Sequence, residues 1–336
     1  MEGTVNPAAL EASVAMDPEA LKGLEFYTEN YEQMTFAGLG IANRQIVLGI
    51  HPPKCRFCRG EPPARTFKKR AHAISELLGN EAINSRYECD QCNERFSAFE
   101  DDLAKMTLPF RNVGGVAGKN GVPTLLSASG EARGKSRVEF RDGTLHMSHP
   151  SGDESFVVDE VAKTINLSYV VQPHRPLGAY KALCKTAFTL LPEAELVHFE
   201  ELRQWLLQSD VTTNQVYARG CHICYRSFVP AFRAFAQPIV ILFRRHTRVE
   251  APYASMFVAF GTLSLQIFLP CPAKDDRLQG KNIFVFSYPN IYQLQPWRAT
   301  GPVTLNQIDL SAPERTKRET GSFSWSYERR EKVERR

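Results

Sequence analysis

The sequence predicts an α+β protein: a small metal-stabilised module followed by a larger α+β domain with an antiparallel sheet and a helical hairpin. Three observations carry this. Two CxxC pairs, Cys55/Cys58 and Cys89/Cys92, face each other across a short interval. Apolar residues recur at three- and four-residue steps on both sides of Pro192. From Pro238 onward, β-forming runs follow one another with short turns between them. The chain divides on this basis into a segment over 1–53, a module over 54–125, an α+β domain over 136–312 and a charged tail over 313–336.

Met1 to Met16 reads as a loose tail. Asp17-Pro18-Glu19 is a helix start, because Asp can cap, Pro fits the first turn and the acid suits the positive end of the helix dipole. The helix should run to about Asn30 or Met34. One strand is expected over Arg44 to Leu48, and His51-Pro52-Pro53 then forms a stiff approach to Cys55.

The paired cysteines set the next element. Tetrahedral zinc held by four thiolates needs two knuckles that each present two sulfurs, with the intervening chain looping out and back. Cys55, Cys58, Cys89 and Cys92 therefore predict a structural Zn2+. Between them, Arg65 to Ala73 reads as a strand, and Ser75 to Asn80 as a short helical turn ended by Gly79-Asn80. Asn84 to Glu88 is expected as a second strand. Cys92 to Lys105 reads as a helix whose stripe is Phe96, Phe99 and Leu103. Glu100, Asp101 and Asp102 then read as a solvated acidic face.

These residues, taken in order, resemble the zinc-containing HNH endonuclease family. The likeness covers roughly Lys54 to Leu103, with a weaker echo from Pro109 to Pro123. It rests on a histidine at the end of a first strand (His72), a Gly-Asn turn (Gly79-Asn80), an asparagine by the second strand (Asn84) and a CxxC followed at once by Asn93. The resemblance implies a ββα-metal core. In it His72 is the general base, Asn84 orients the imidazole, and Asn93 is a ligand of a catalytic Mg2+, Mn2+ or Ni2+. The family has an acidic residue just before the histidine, and here that position is Ala71. Another carboxylate (Glu76, Glu88, Asp90, Glu100 or Asp102) then takes its part, or the metal site is altered. The implied partner is double-stranded DNA, and a homodimer would let one core cut each strand. A bacterial defence or restriction role fits by analogy. The competing reading is a non-catalytic, zinc-dependent nucleic-acid-binding protein.

Charge supports a nucleic-acid partner. Between Lys54 and Arg70 there are seven basic side chains against one acid, Glu61. Arg65, Lys68, Lys69 and Arg70 are the candidate phosphate contacts. The Gly-rich run Val113 to Gly121 is not a nucleotide loop, because Gly118-Lys119 is followed by Asn120 and the GxxxxGK[ST] pattern is missing.

Ser127 to Lys135 reads as a linker. Asp142-Gly143 between Ser136–Phe140 and Thr144–Ser148 predicts a hairpin. Further strands are expected over Phe156–Val158, Thr164–Val171, Ile239–Arg244, Ala254–Phe260, Leu263–Leu269 and Ile283–Ser287, with Gly261 in a tight turn. Leu177 to Leu190 and a second helix beyond Pro192, with Leu196, Phe199, Leu202 and Leu206, form the helical hairpin. A third CxxC, Cys221/Cys224, lacks a partner pair and reads as buried thiols. Pro313 to Arg336 carries eight basic and five acidic side chains and is expected as a mobile or helical tail.

No apolar run reaches the roughly 18 residues that span a bilayer, and the acidic, Ala-rich start lacks a secretory signal's basic region. Metal-ligand use of the cysteines, with no membrane partner, points to a reducing, cytoplasmic setting.

Overall fold

The computed structural model describes residues 17–38, 45–128, 135–141, 144–208, 221–230, 234–295, 299 and 301–327. The expected loose start, most of the 127–135 linker and the last nine residues lie outside them.

Helix α1 (Pro18–Asn30) starts as its sequence dictates: the Asp17 carboxylate accepts the Glu19 N–H at 3.0 Å, with Pro18 in the first turn. The chain then runs directly into β1 (Tyr31–Ala37), a strand the sequence reading did not anticipate. This strand pairs antiparallel with β11 (Phe235–Arg245), more than two hundred residues away. That long-range partner, rather than local pattern, makes it a strand. The next strand, β2 (Ile46–Leu48), is shorter than expected.

The main sheet has six strands in the order β1-β11-β12-β13-β10-β14, where β10 is Ile223–Phe228, β12 Ala254–Gly261, β13 Leu263–Leu269 and β14 Thr304–Asp309. All its pairings are antiparallel. Gly261, at φ 58°, makes the expected tight turn between β12 and β13. Against this sheet lies α3 (Pro176–Leu190), with every one of its residues buried. Pro192 ends it. A 3-10 segment (Glu193–Phe199) and α4 (Glu200–Leu207) complete the helical pair.

The expected strand over Ile283–Ser287 does not form. Its backbone is held by side chains instead: the Tyr225 hydroxyl donates to the Val285 carbonyl, and Gln266 accepts the Tyr288 N–H at 2.6 Å.

Three three-stranded sheets accompany the main one, the third joining β2 to two short strands of the cysteine-bearing segment. The first is β5 (Leu125–Leu126), β6 (Arg137–Arg141) and β7 (Thr144–Ser148), which includes the expected hairpin pairing. The second is β8 (Phe156–Asp159), β9 (Thr164–Val171) and β15 (Glu319–Ser326). The last strand corrects the expectation of a mobile or helical tail over these residues. Phe323 and Trp325 alternate with serines, a strand period that the surrounding charges obscured. Phe323 packs on Tyr169, Phe110 and Phe228, with ring centroids 4.9–5.8 Å apart.

One apolar cluster continues from Phe57, Phe96 and Phe99 through Tyr180 and Phe188 to Val258 and Leu265. The cysteine-bearing segment thus shares its core with α3 and the main sheet. No helix among the described residues is long and apolar enough to cross a membrane.

Candidate metal centre and the His72 site

Cys55, Cys58, Cys89 and Cys92 come together with all four sulfurs within 4.8 Å of one another. The Cys58–Cys89 sulfur separation is 3.7 Å. A tetrahedron built on Zn–S bonds of about 2.3 Å has edges of about 3.8 Å, so the donors fit that ion in kind and spacing. The electrostatics agree. A hydrogen bond from Cys92 draws the Cys55 thiol down to about 5, while hydrogen bonding to Cys55 and burial push the Cys92 thiol far up. Four thiolates cannot all carry charge at this spacing without a cation among them. The four cysteines could therefore hold a structural metal such as zinc.

The first knuckle is tied to α3 and α4. Arg56, between Cys55 and Cys58, donates through Nη1 to the carbonyls of Phe188 (3.2 Å), Thr189 (2.8 Å) and Leu191 (2.8 Å), at the C-terminal end of α3. Its guanidinium also lies 3.7 Å over the Tyr87 ring. These contacts satisfy carbonyls that the helix end leaves open. Arg203 of α4 donates to the Phe57 carbonyl.

The expected strand over Arg65–Ala73 shrinks to β3 (Ala71–His72). Upstream of it, Asp90 accepts the backbone N–H groups of Lys68 (3.0 Å) and Lys69 (2.8 Å), and the Asp90 N–H goes to the Thr66 carbonyl. Those amides are engaged by the start of a helix and cannot enter a ladder. Arg65, Lys68, Lys69 and Arg70 remain exposed. A 3-10 turn (Glu76–Leu78) follows and ends at Gly79, at φ 86°, as its Gly-Asn sequence predicts. Asn80 then ties the loop, with Nδ2 donating to the Ile74 and Ile83 carbonyls and Oδ1 accepting the Ala82 and Ile83 N–H groups.

Strand β4 (Ile83–Ser85) is again shorter than expected and runs antiparallel to β3, with His72 directly opposite Asn84. Paired residues of an antiparallel ladder project to the same face. Asn84 is 5 % exposed. Neither its Oδ1 nor Nδ1 of His72 has a hydrogen-bond partner among the described residues. Burial holds the His72 imidazole below its ordinary value, so it is neutral at neutral pH. Its Nε2 lies 3.6 Å from the Glu76 carboxylate.

Helix α2 (Asp90–Val113) is longer than expected and continues through Pro109. Asn93 sits half-buried in its first turn, and its N–H donates to the Cys89 carbonyl. No hydrogen bond joins its side chain to His72. Phe96, Phe99 and Leu103 form the expected buried stripe.

The acidic run departs from the solvated face that was expected. Only Asp101 fits it, paired with Lys105 at the surface. Asp102 is fully buried and accepts from the Arg175 backbone N–H (3.0 Å) and side-chain Nε (2.8 Å). Gly178 makes room for it, since a Cβ there would meet Asp102 Oδ2 at 2.2 Å. Glu100 turns towards α3, where Lys185 Nζ donates to it at 3.2 Å.

Lys185 was not anticipated as a site residue. Its ammonium also stands 2.9 Å from Glu88, and both side chains are almost wholly buried. Burial opposes the Lys185 charge, but Glu88 and Glu100 more than offset it and hold the ammonium above its ordinary range; the same burial pushes the Glu88 carboxyl up to about 7 in spite of the lysine. The fields of Glu76, Lys185 and Glu100 all reach His72. The sequence did hold a signal: Lys181 and Lys185 stand four apart in a helix that is otherwise apolar, and a buried lysine requires a partner.

Among the described residues, the four cysteines alone gather three or more ligand atoms within 4.8 Å. Cys221 and Cys224 are buried thiols, as expected. A cavity of about 210 Å³ opens between the Gly79–Ile83 loop, the Gly114–Ala117 loop and Phe235–Pro238. His72, Asn84 and Asn93 do not line it. Neither family models, nor curated proteins, nor solved structures yield a match to this chain.

Proposed function

We propose that the chain is an HNH-type endonuclease that hydrolyses DNA phosphodiester bonds, with zinc at the four cysteines and a divalent cation (Mg2+, Mn2+ or Ni2+) at His72. The observation that supports this best is the β3–β4 register. It sets His72 opposite Asn84 on short strands that lead into a helix opened by the four-sulfur cluster.

The imidazole is neutral and so able to take a proton. With Nδ1 buried, Nε2, 3.6 Å from the Glu76 carboxylate, is the nitrogen left to take a proton. The unpartnered Nδ1 and the unpartnered Asn84 Oδ1 complement each other, since Nδ1–H donates and Oδ1 accepts. Pairing them would fix the tautomer with its lone pair on Nε2. Exposed Arg65, Lys68, Lys69 and Arg70 would hold the flanking phosphates. The divalent cation supplies charge neutralisation at the scissile phosphate and at the leaving oxygen. Oxygen donors suit such a hard ion; the resemblance implies Asn93 as one, and Glu76, 3.6 Å from His72, is a carboxylate at hand.

A second reading, a nucleic-acid-binding protein without catalysis, draws on Ala71 and on the ammonium of Lys185 among the carboxylates. Plasmid DNA incubated with Mg2+, Mn2+ or Ni2+ separates the two. The endonuclease reading expects nicking by the wild type and binding without nicking by His72→Ala. Equal behaviour of the two proteins supports the binding protein.

A further inference from the structure

The Gly-rich run Val113 to Gly121, which lacks the nucleotide-loop pattern, closes over a charge that no carboxylate balances. Arg111, in the last turn of α2, is 7 % exposed. Its Nη2 donates to the Ala104 carbonyl at 3.0 Å, so the guanidinium folds back along the helix. Nε is sealed without a partner; Nη1 makes no hydrogen bond among the described residues either, but it is not sealed. The buried charges of Lys185 and Arg245 each face a carboxylate, at 2.9 and 3.3 Å. Arg111 faces none among the described residues: burial alone brings it down to about 10, which leaves it charged at neutral pH. A charge taken out of water is ordinarily paired.

We propose that Arg111 and Lys119 form a binding site for a phosphate group, entered beside Gly118. The site goes beyond the endonuclease reading and does not rest on it.

Three observations converge on this. The first is the guanidinium itself. It carries donors and no acceptor, keeps its charge when buried, and suits phosphate oxygens better than any neutral partner. The second is the loop above it. Gly118 and Gly121 exchange both backbone hydrogen bonds, at 3.1 and 2.9 Å, which closes a turn with Lys119 and Asn120 exposed at its tip. A Cβ at Gly118 would meet the Leu77 Cα at 3.3 Å and Nη1 of Arg111 at 3.8 Å. The bare Cα thus lets the loop sit on the 3-10 turn with no side chain over Nη1. The third is the sign of the surroundings. Val113 to Pro123 holds no acidic residue. Glu76, whose carbonyl borders Gly118, has its carboxylate 3.6 Å from His72. Lys119 therefore adds positive charge at the rim, above a buried charge of the same sign, and an anion answers both. Glu76 and Leu77 continue the chain from His72, so a DNA backbone passing His72 is one source of the phosphate. Free phosphate is the other.

The test compares full-length, zinc-loaded wild type with Arg111→Met and Lys119→Gln. Thermal unfolding is followed with and without inorganic phosphate, and duplex DNA binding by fluorescence anisotropy over a series of salt concentrations. Without anion, Arg111→Met should unfold at or above the wild-type temperature, because it removes an unbalanced charge and keeps an apolar stem. Inorganic phosphate should raise the unfolding temperature of the wild type and leave that of Arg111→Met unmoved. If DNA supplies the phosphate, each variant should bind duplex about tenfold more weakly at low salt and lower the slope of log affinity against log salt by about one. A phosphate response lost in Arg111→Met with duplex affinity unchanged assigns the site to free phosphate. Lys22→Gln, an exposed lysine of α1, should change neither readout. A wild type that responds to neither probe, or variants that match it with both, overturns the site. So does a destabilised Arg111→Met together with a phosphate response that Lys119→Gln retains. Plasmid nicking enters none of these outcomes, so the endonuclease reading stands or falls separately.

Discussion

Lys185 of α3 stands 2.9 Å from Glu88, the residue immediately before Cys89, and the two side chains are 2 % and 0 % exposed. A helix of the C-terminal part therefore supplies the counter-charge for a residue at the second cysteine knuckle. Arg56 makes the reciprocal connection from the first knuckle to the end of the same helix.

Breaking that pair should cost far more than removing it. Lys185→Met leaves Glu88 and Glu100 facing each other with no ammonium between them, and loss of one partner of a buried pair costs up to roughly 3–5 kcal/mol, less to the extent that Glu88, already raised to about 7 by burial, takes up a proton. The double variant Lys185→Met/Glu88→Gln removes the buried charge as well and should recover most of that loss. Urea unfolding of the four proteins in the cycle measures the coupling. If the single and double variants are equally destabilised, the contact is only packing.

The two knuckles and α3 should also melt together. Arg56 caps three carbonyls at or just beyond the end of α3, so removing a metal held by the four cysteines should loosen a helix that supplies much of the shared core. Chelation, or Cys92→Ser, is expected to lower the melting temperature on the order of 10 °C or more. It should also open the 176–207 region to amide hydrogen exchange. Exchange confined to the cysteine loop would show that the two parts unfold independently.

The features read correctly from sequence were those written in local spacing. The CxxC pairs, the Asp17-Pro18 helix start, the Gly79-Asn80 turn and the strands meeting at Gly261 each depend on residues a few positions apart. The misread features depend on distant partners. Tyr31–Ala37 becomes a strand because β11 lies beside it, and Glu319–Ser326 because β9 does. At the candidate site, the four cysteines come together as their motif spacing predicts, whereas His72 and Asn84 were picked out by the family resemblance alone. The Lys185–Glu88–Glu100 group joins α3 to residues 85 to 97 positions earlier, and no local pattern encodes that separation.

His222 should set part of the acid limit of stability. It lies beside the Tyr180 ring, with centroids 4.8 Å apart, and its Nε2 has no hydrogen-bond partner among the described residues. Burial depresses its pKa to about 4, against a small opposing pull from Asp309. The unfolded chain, with an ordinary value near 6.5, therefore binds more protons than the folded chain between pH 6.5 and 4. Above pH 6.5 both states hold the neutral imidazole, and its titration contributes nothing to the pH dependence. Stability is then lost as pH falls through that window, by roughly 3 kcal/mol in all. His222→Phe keeps a ring against Tyr180 but cannot take up a proton. Unfolding free energies measured from pH 7 to pH 4 should fall more steeply in the wild type than in this variant, by about that amount. Parallel curves would place the acid sensitivity elsewhere, with His72 the next group to examine because burial depresses it in the same direction.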